Sequence, residues 1–126
     1  MSHNSLNTVF RSVVISKLSY ASPAWIGFAR ENDKDRIEAF IRRGKRAGFC
    51  TSSAPTFKEI CRVSDQRLFQ SVTHDQSHVL YRLLPPKTES HYQLRPRAHA
   101  FVLPLKENAL LDSNFINRLL YEDYSV

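Results

Sequence analysis

The stretch that decides the fold runs from Asp33 to Gly48 and reads DKDRIEAFIRRGKRAG. Wound as a helix, it places Ile37, Phe40, Ile41, Gly44 and Gly48 at i, i+3, i+4, i+7 and i+11. That is one apolar-to-small face repeating at the helical period of about 3.6 residues. The rest of its surface carries Lys34, Arg42, Arg43, Lys45 and Arg46, with acids only toward the N-terminal end. One stripe can dock on a core while the other faces a partner rich in negative charge. Burying Ile37, Phe40 and Ile41 would contribute roughly 5–8 kcal/mol before entropy is subtracted. The apolar stripe therefore holds the helix in place, and the charges only support it.

Composition sets the frame around this helix. The chain has 126 residues, enough for one domain with its own core. Only three glycines accompany many Leu, Ile, Val and Phe residues, which favours helices over a turn-rich sandwich. The expected class is all-α: a small bundle of short helices with an extended C-terminal segment containing proline and arginine. A formal charge of +6 suits polyanionic partners, nucleic acid first and an anionic membrane surface second. Two cysteines, Cys50 and Cys61, are too few for a secreted disulfide scaffold. No apolar run approaches the roughly 20 residues needed to span a bilayer. Val13-Val14-Ile15 is interrupted by Lys17 and has no basic region before it, which argues against a secretory signal. A nuclear or cytoplasmic location is expected. The acid-free first thirty residues share the composition of a mitochondrial presequence, a competing reading.

Upstream of the basic helix, residues from Asn4 to Tyr20 carry Leu6, Val9, Phe10, Val13, Val14 and Leu18 at helical spacing. Ser22-Pro23 is expected to end or kink this helix, because the residue before proline is pushed out of the helical region. Trp25, Ile26 and Phe28 then form an apolar patch expected to lock the first helix onto the second. Left uncovered, Trp25 and Phe28 would be interface residues. Asn32 or Asp33 is expected to cap the basic helix, Lys34–Glu38 and Glu38–Arg42 to pair along it, and Gly48 to close it.

Downstream, Thr56-Phe57-Lys58-Glu59 matches a capping box and predicts a short helix to Arg62. Ser64 is expected to cap another, carrying Leu68, Phe69 and Val72. A further segment from Gln76 to Leu84, with Val79, Leu80, Leu83 and Leu84 on one side, should stop at Pro85-Pro86. From Lys87 to Asn108 the periodicity fades into an extended, docked segment, and Asp112 or Ser113 should cap a last helix through Tyr121. The organisation expected is a helical part over residues 1–86 and a segment with a terminal helix over 87–126.

No catalytic constellation emerges. Cys61, His74 and His78 repeat half of a zinc-finger spacing, and Cys50 would be the fourth ligand of a tetrahedral site. Ten residues separate Cys50 from Cys61 instead of the usual two to four, and the intervening stretch can pack by itself. No glycine loop cradles phosphate. Tyr121-Glu122-Asp123-Tyr124 lacks the second aspartate of a polymerase turn. Neither metal nor organic cofactor is expected. The chemistry that stands out is electrostatic: Arg42, Arg43, Lys45 and Arg46 on the helix, and Arg95 and Arg97 beside His91, Tyr92 and His99. Guanidinium forks bind phosphates and nearby rings stack on bases.

Six segments in order resemble the C-terminal part, from the thumb onward, of the reverse transcriptase of non-long-terminal-repeat (LINE-like) retrotransposons. LSYASPAW (Leu18 to Trp25) is similar to that family's Leu-x-Tyr-Gly/Ala-Ser-Pro-x-Trp joint, and RIEAFIRRGKRAGF (Arg36 to Phe49) to its basic thumb helix. PTFKEI (Pro55 to Ile60), HVLYRLLPP (His78 to Pro86), HYQLRPRAH (His91 to His99) and SNFINRLLY (Ser113 to Tyr121) are similar to its downstream run. The resemblance implies a helical unit that grips a template–primer duplex. It also makes the acid-free N-terminus a thumb helix, not a presequence. The palm with its metal-binding aspartates lies upstream in such proteins and has no counterpart in this sequence. The expectation is a non-catalytic fragment that binds RNA/DNA duplex or hybrid without sequence preference, with the missing palm as a further partner. The alternative is a protein-interaction module or an inert remnant. A basic amphipathic helix lying on anionic membrane is a third reading.

Overall fold

Apolar stripes in this sequence become helices both with and without a side-chain capping bond at their start. A computed structural model describes residues 2–87 and 101–122. Among these the structure is all-α, with no strand beyond one isolated antiparallel bridge between Lys87 and Phe101. The chain divides into two compact units, Met1–Ser64 and Asp65–Val126.

The first unit begins with α1 (His3–Val9), opened by Ser2, whose hydroxyl accepts a hydrogen bond from the Ser5 N–H at 3.2 Å. It runs without a break into a π-helical segment, Phe10–Ile15, and then α2 (Ser16–Ser19). The Ser16 hydroxyl donates to the carbonyl of Arg11 at 3.0 Å, which suits the wider winding. The helix stops before the expected proline. Ala21 takes a left-handed φ of 51°, a conformation uncommon for a residue with a Cβ. Pro23 then sits in the first turn of α3 (Ser22–Trp25), where its missing N–H is no loss. A 3-10 turn, Ile26–Phe28, leads to α4.

Helix α4 (Glu31–Arg46) starts earlier than expected. Its N-cap is Arg30, which makes no side-chain capping bond, so neither Asn32 nor Asp33 caps it. Glu31 and Asp33 lie in the first turn, favourably placed at the positive end of the helix dipole. The ion pairs also differ: Lys34 pairs with Glu31 at 3.0 Å and Arg36 with Asp33 at 3.8 Å. Glu38 is drawn elsewhere. Its Oε1 accepts from the Lys58 backbone N–H at 2.7 Å, in the first turn of the next long helix. At its C-terminal end α4 closes as expected. Gly48 has φ 85°, its N–H reaches the Lys45 carbonyl at 3.1 Å, and the Phe49 N–H reaches Gly44 at 2.9 Å. This pair of bonds is a Schellman closure, and the left-handed position is one that glycine occupies without strain.

Helix α5 (Phe57–His74) is a single helix of 18 residues, not the two short ones expected. Its start is the capping box: Thr56 Oγ1 accepts from the Glu59 N–H, and Glu59 Oε2 from the Thr56 N–H, both at 3.2 Å. With Glu38 adding a third acceptor at that end, Ser64 is not needed as a second start. The core of the first unit is Ile41, Phe57 and Cys61, with Ile15, Leu18, Trp25, Ile26 and Ile37 packed around it.

In the second unit, residues 76–84 form turns and a short 3-10 segment, Tyr81–Leu83, instead of a helix. Local polar bonds explain the difference. Asp75 Oδ1 accepts from the Ser77 N–H at 2.9 Å and hydroxyl at 2.6 Å, and His78 Nδ1 accepts from the Leu80 N–H at 3.1 Å. Such side-chain bonds give the backbone an alternative to helix. Val79 and Leu83 consequently face solvent. Asn108 caps α6 (Ala109–Asp112), and Asn114, not Asp112 or Ser113, caps α7 (Phe115–Tyr121). Val72, Phe101, Leu119 and Leu120 are buried. Arg118 grips Asp65 with both guanidinium arms, at 2.7 and 3.3 Å. The Tyr121 hydroxyl donates to the Pro104 carbonyl.

Candidate nucleic-acid interface

Buried and exposed positions on α4 divide as its sequence pattern requires, with two exceptions, Phe40 and Lys45. Ile41 and Gly44 are buried and Ile37 half-buried, whereas Phe40 is 45% exposed. The embedded stripe is narrower than expected, and at Gly44 it is pressed against another ring. The side chain of Phe10 comes so close that a Cβ on Gly44 would lie 2.8 Å from its Cζ. Phe10 in turn stacks on Phe49, with centroids 6.2 Å apart and planes within 4°. This close approach holds the C-terminal half of α4 against the N-terminal helix.

On the opposite side, Arg42, Arg43 and Arg46 are exposed. Spacings of three and four residues make them neighbours on one surface. Among the described residues none of the three is ion-paired with a carboxylate. Two physical reasons keep them together at low energetic cost. They sit at the negative end of the helix dipole, and the acids of α4 are confined to its other end or, for Glu38, engaged by Lys58. Lys45 differs from its neighbours. It is half-buried, and its ammonium donates to the Ala54 carbonyl at 2.6 Å, fastening the loop between α4 and α5.

The other expected residues are distributed differently. Arg95 and Arg97, with His91, Tyr92 and His99, lie outside the described residues, as do Asp123 and Tyr124. Trp25 is half-buried and stacks on Phe57 at 6.1 Å between centroids, so its ring belongs to the core of the first unit. Phe28 is about half exposed, at 49%. Cys50 and Cys61 are buried and are not joined in a disulfide. His74 Nδ1 lies 2.8 Å from the Gln70 carbonyl, and His78 Nδ1 is taken by Leu80. Among the described residues no group of three or more His, Cys, Asp or Glu is placed to hold a metal ion. No helix among them is long and apolar enough to cross a membrane.

Sequence reasoning had no access to the part played by Phe10 and Phe49. The only local signal was a small residue, Gly44, on an otherwise apolar stripe, and it does not say which ring fills the space. No family model, curated protein or solved structure matches the chain.

Proposed function

We propose that the chain is a non-catalytic nucleic-acid-binding fragment, similar to the thumb region of a LINE-like retrotransposon reverse transcriptase, that holds duplex or hybrid nucleic acid by its phosphates. The observation that carries this reading is the trio Arg42, Arg43 and Arg46: exposed, mutually adjacent, without carboxylate partners among the described residues, and mounted on a helix whose other side is anchored by Ile41 and Gly44. A rigid mount limits the ordering entropy lost on binding. Planar guanidinium groups reach phosphate oxygens in pairs and carry no sequence preference by themselves. Lys45 serves the loop, and Arg95 and Arg97 would extend the grip along the C-terminal segment.

Binding should be dominated by counterion release. Fluorescence anisotropy with a labelled RNA/DNA hybrid and a DNA duplex, titrated at several salt concentrations, tests it. We expect binding that weakens steeply with salt and hardly varies with sequence. Absence of binding to either probe at low salt would remove the proposal and leave a protein-interaction module. That second reading is favoured by the apolar side chains on the first unit that remain open to solvent, Val9, Val13, Phe40 and Phe49.

A further inference from the structure

The turn that ends α2 keeps two unrelieved costs at adjacent residues. Ala21 holds a left-handed φ of 51°, which glycine would adopt without strain. Ser22 is fully buried, and its hydroxyl has no hydrogen-bond partner among the described residues. The turn is nevertheless firmly fixed. The Trp25 indole N–H donates to the Tyr20 carbonyl at 2.8 Å, and the Ala24 N–H reaches the Ala21 carbonyl at 2.9 Å. Trp25 is held in turn by its stack on Phe57. What this turn presents is Tyr20, 80% exposed and the most exposed aromatic side chain among the described residues. Its ring has no stacking partner there. Lys17, three residues earlier, is exposed on the same surface and makes no ion pair among the described residues. Strain retained at a well-fixed turn is characteristic of places where a fold positions a functional group.

We propose that Tyr20 is a stacking platform for one unpaired nucleobase, with Lys17 on the adjoining phosphate. This deepens the nucleic-acid reading and rests on it. Every base has a face on which a phenol ring can stack, so the contact adds grip without sequence preference. The cation beside the ring favours a partner that carries a phosphate at each unit. An apolar protein surface would instead have to strip water from the ammonium. A base inside a duplex has both faces covered by its neighbours, so the base taken by Tyr20 belongs to a single strand. Tyr20 lies ten residues along the continuous first helix from Phe10, the ring that meets Gly44 on the basic helix. At the helical rise that is about 15 Å, or roughly four to five nucleotide steps. The partner is therefore a duplex with a single-stranded extension, the paired part on the arginines and the extension on Tyr20.

The test titrates the full chain with two long RNA/DNA hybrids, one blunt and one with a single-stranded extension of about six nucleotides at each end, containing 2-aminopurine. We expect the extended hybrid to bind about 5- to 100-fold more tightly than the blunt one, with quenching of the 2-aminopurine fluorescence. Tyr20→Ala should remove most of that advantage and the quenching, leaving the affinity and salt slope of the blunt hybrid as they were. Tyr20→Phe should retain both the advantage and the quenching. Lys17→Gln should flatten the salt slope of the extended hybrid alone, by about 0.7. Equal affinity of the native chain for the two hybrids would overturn the proposal and leave the nucleic-acid reading standing. An equal loss on both hybrids in Tyr20→Ala would do the same, because it marks a structural role for the ring. Binding of neither hybrid would overturn both readings together.

Discussion

Phe10 occupies the space that a side chain on Gly44 would need: a Cβ built on that glycine lies 2.8 Å from Cζ of the ring. Two residues far apart in the sequence are thereby brought to closest approach on the inner side of the basic helix. The ring is itself held by its stack on Phe49, just past the helix end. Position 44 is therefore small for a tertiary reason, although glycine inside a helix is disfavoured by about 1 kcal/mol relative to alanine.

A large side chain at this position should push the two helices apart. We predict that Gly44→Leu destabilises the protein by about 1–3 kcal/mol, the range for overpacked interiors, even though leucine is the better helix former. Urea denaturation of the variant measures it, and a gain in stability would mean that Phe10 has room to retreat.

Glu38 was expected to pair with Lys34 and Arg42 along its own helix. It instead accepts from the Lys58 N–H at 2.7 Å, joining α4 to the start of α5. A carboxylate at that end meets both an unsatisfied N–H and the positive end of a dipole. Glu38→Ala should lower stability by about 1 kcal/mol, with a loss that shrinks in high salt. A loss of equal size in Arg42→Ala would favour an along-helix pair instead.

Legibility in the sequence followed the range of the interaction. The stripe of α4 (apart from Phe40), its glycine closure and the capping box at Thr56 and Glu59 are local patterns, and all three appear in the structure. The start of α4 at Glu31 was misplaced because two candidate caps, Asn32 and Asp33, lie inside the helix, and Arg30 makes no capping bond of its own. The segment at Val79 to Leu84 had helical apolar spacing but lost to local bonds from Asp75 and His78, whose strength spacing does not report. Long-range choices were out of reach. Nothing near Glu38 points to Lys58, and nothing near Gly44 points to Phe10. At the candidate site, the cluster of cations was legible, but the diversion of Lys45 to Ala54 depended on where the intervening loop folds.

In the second unit, Asp65 is 6% exposed and receives both arms of Arg118, at 2.7 and 3.3 Å. Removing one partner leaves a charge with little water to replace it. We predict that Asp65→Ala destabilises by about 2–4 kcal/mol, somewhat below the full range for buried pairs because the Arg118 side chain remains 23% exposed. The Asp65→Ala/Arg118→Met double variant should recover part of the loss. Simple addition of the two single losses would argue against a coupled pair.

Asp75 supplies a pH dependence with a defined sign. Hydrogen bonds from the Ser77 hydroxyl and N–H hold its carboxyl below the ordinary 3.8. A carboxyl lowered on folding stabilises the turn fully above its unfolded value, and that contribution is lost as pH falls through the lowered folded value. Carboxyl NMR should show Asp75 titrating below 3.8 in the intact protein, and returning toward it in Ser77→Ala. An unchanged midpoint in that variant would remove Ser77 as the cause.

In the proposed function, Arg42, Arg43 and Arg46 hold phosphates while Lys45 holds a loop. The most direct measurement is the slope of log affinity against log salt for a labelled RNA/DNA hybrid, in the native chain and in single glutamine variants. Each of Arg42→Gln, Arg43→Gln and Arg46→Gln should flatten the slope by about 0.9, the loss of one neutralised phosphate on a duplex. Lys45→Gln should leave it nearly unchanged while lowering stability. Equal slopes in the native chain and all three arginine variants would contradict the account, as would a change confined to Lys45→Gln.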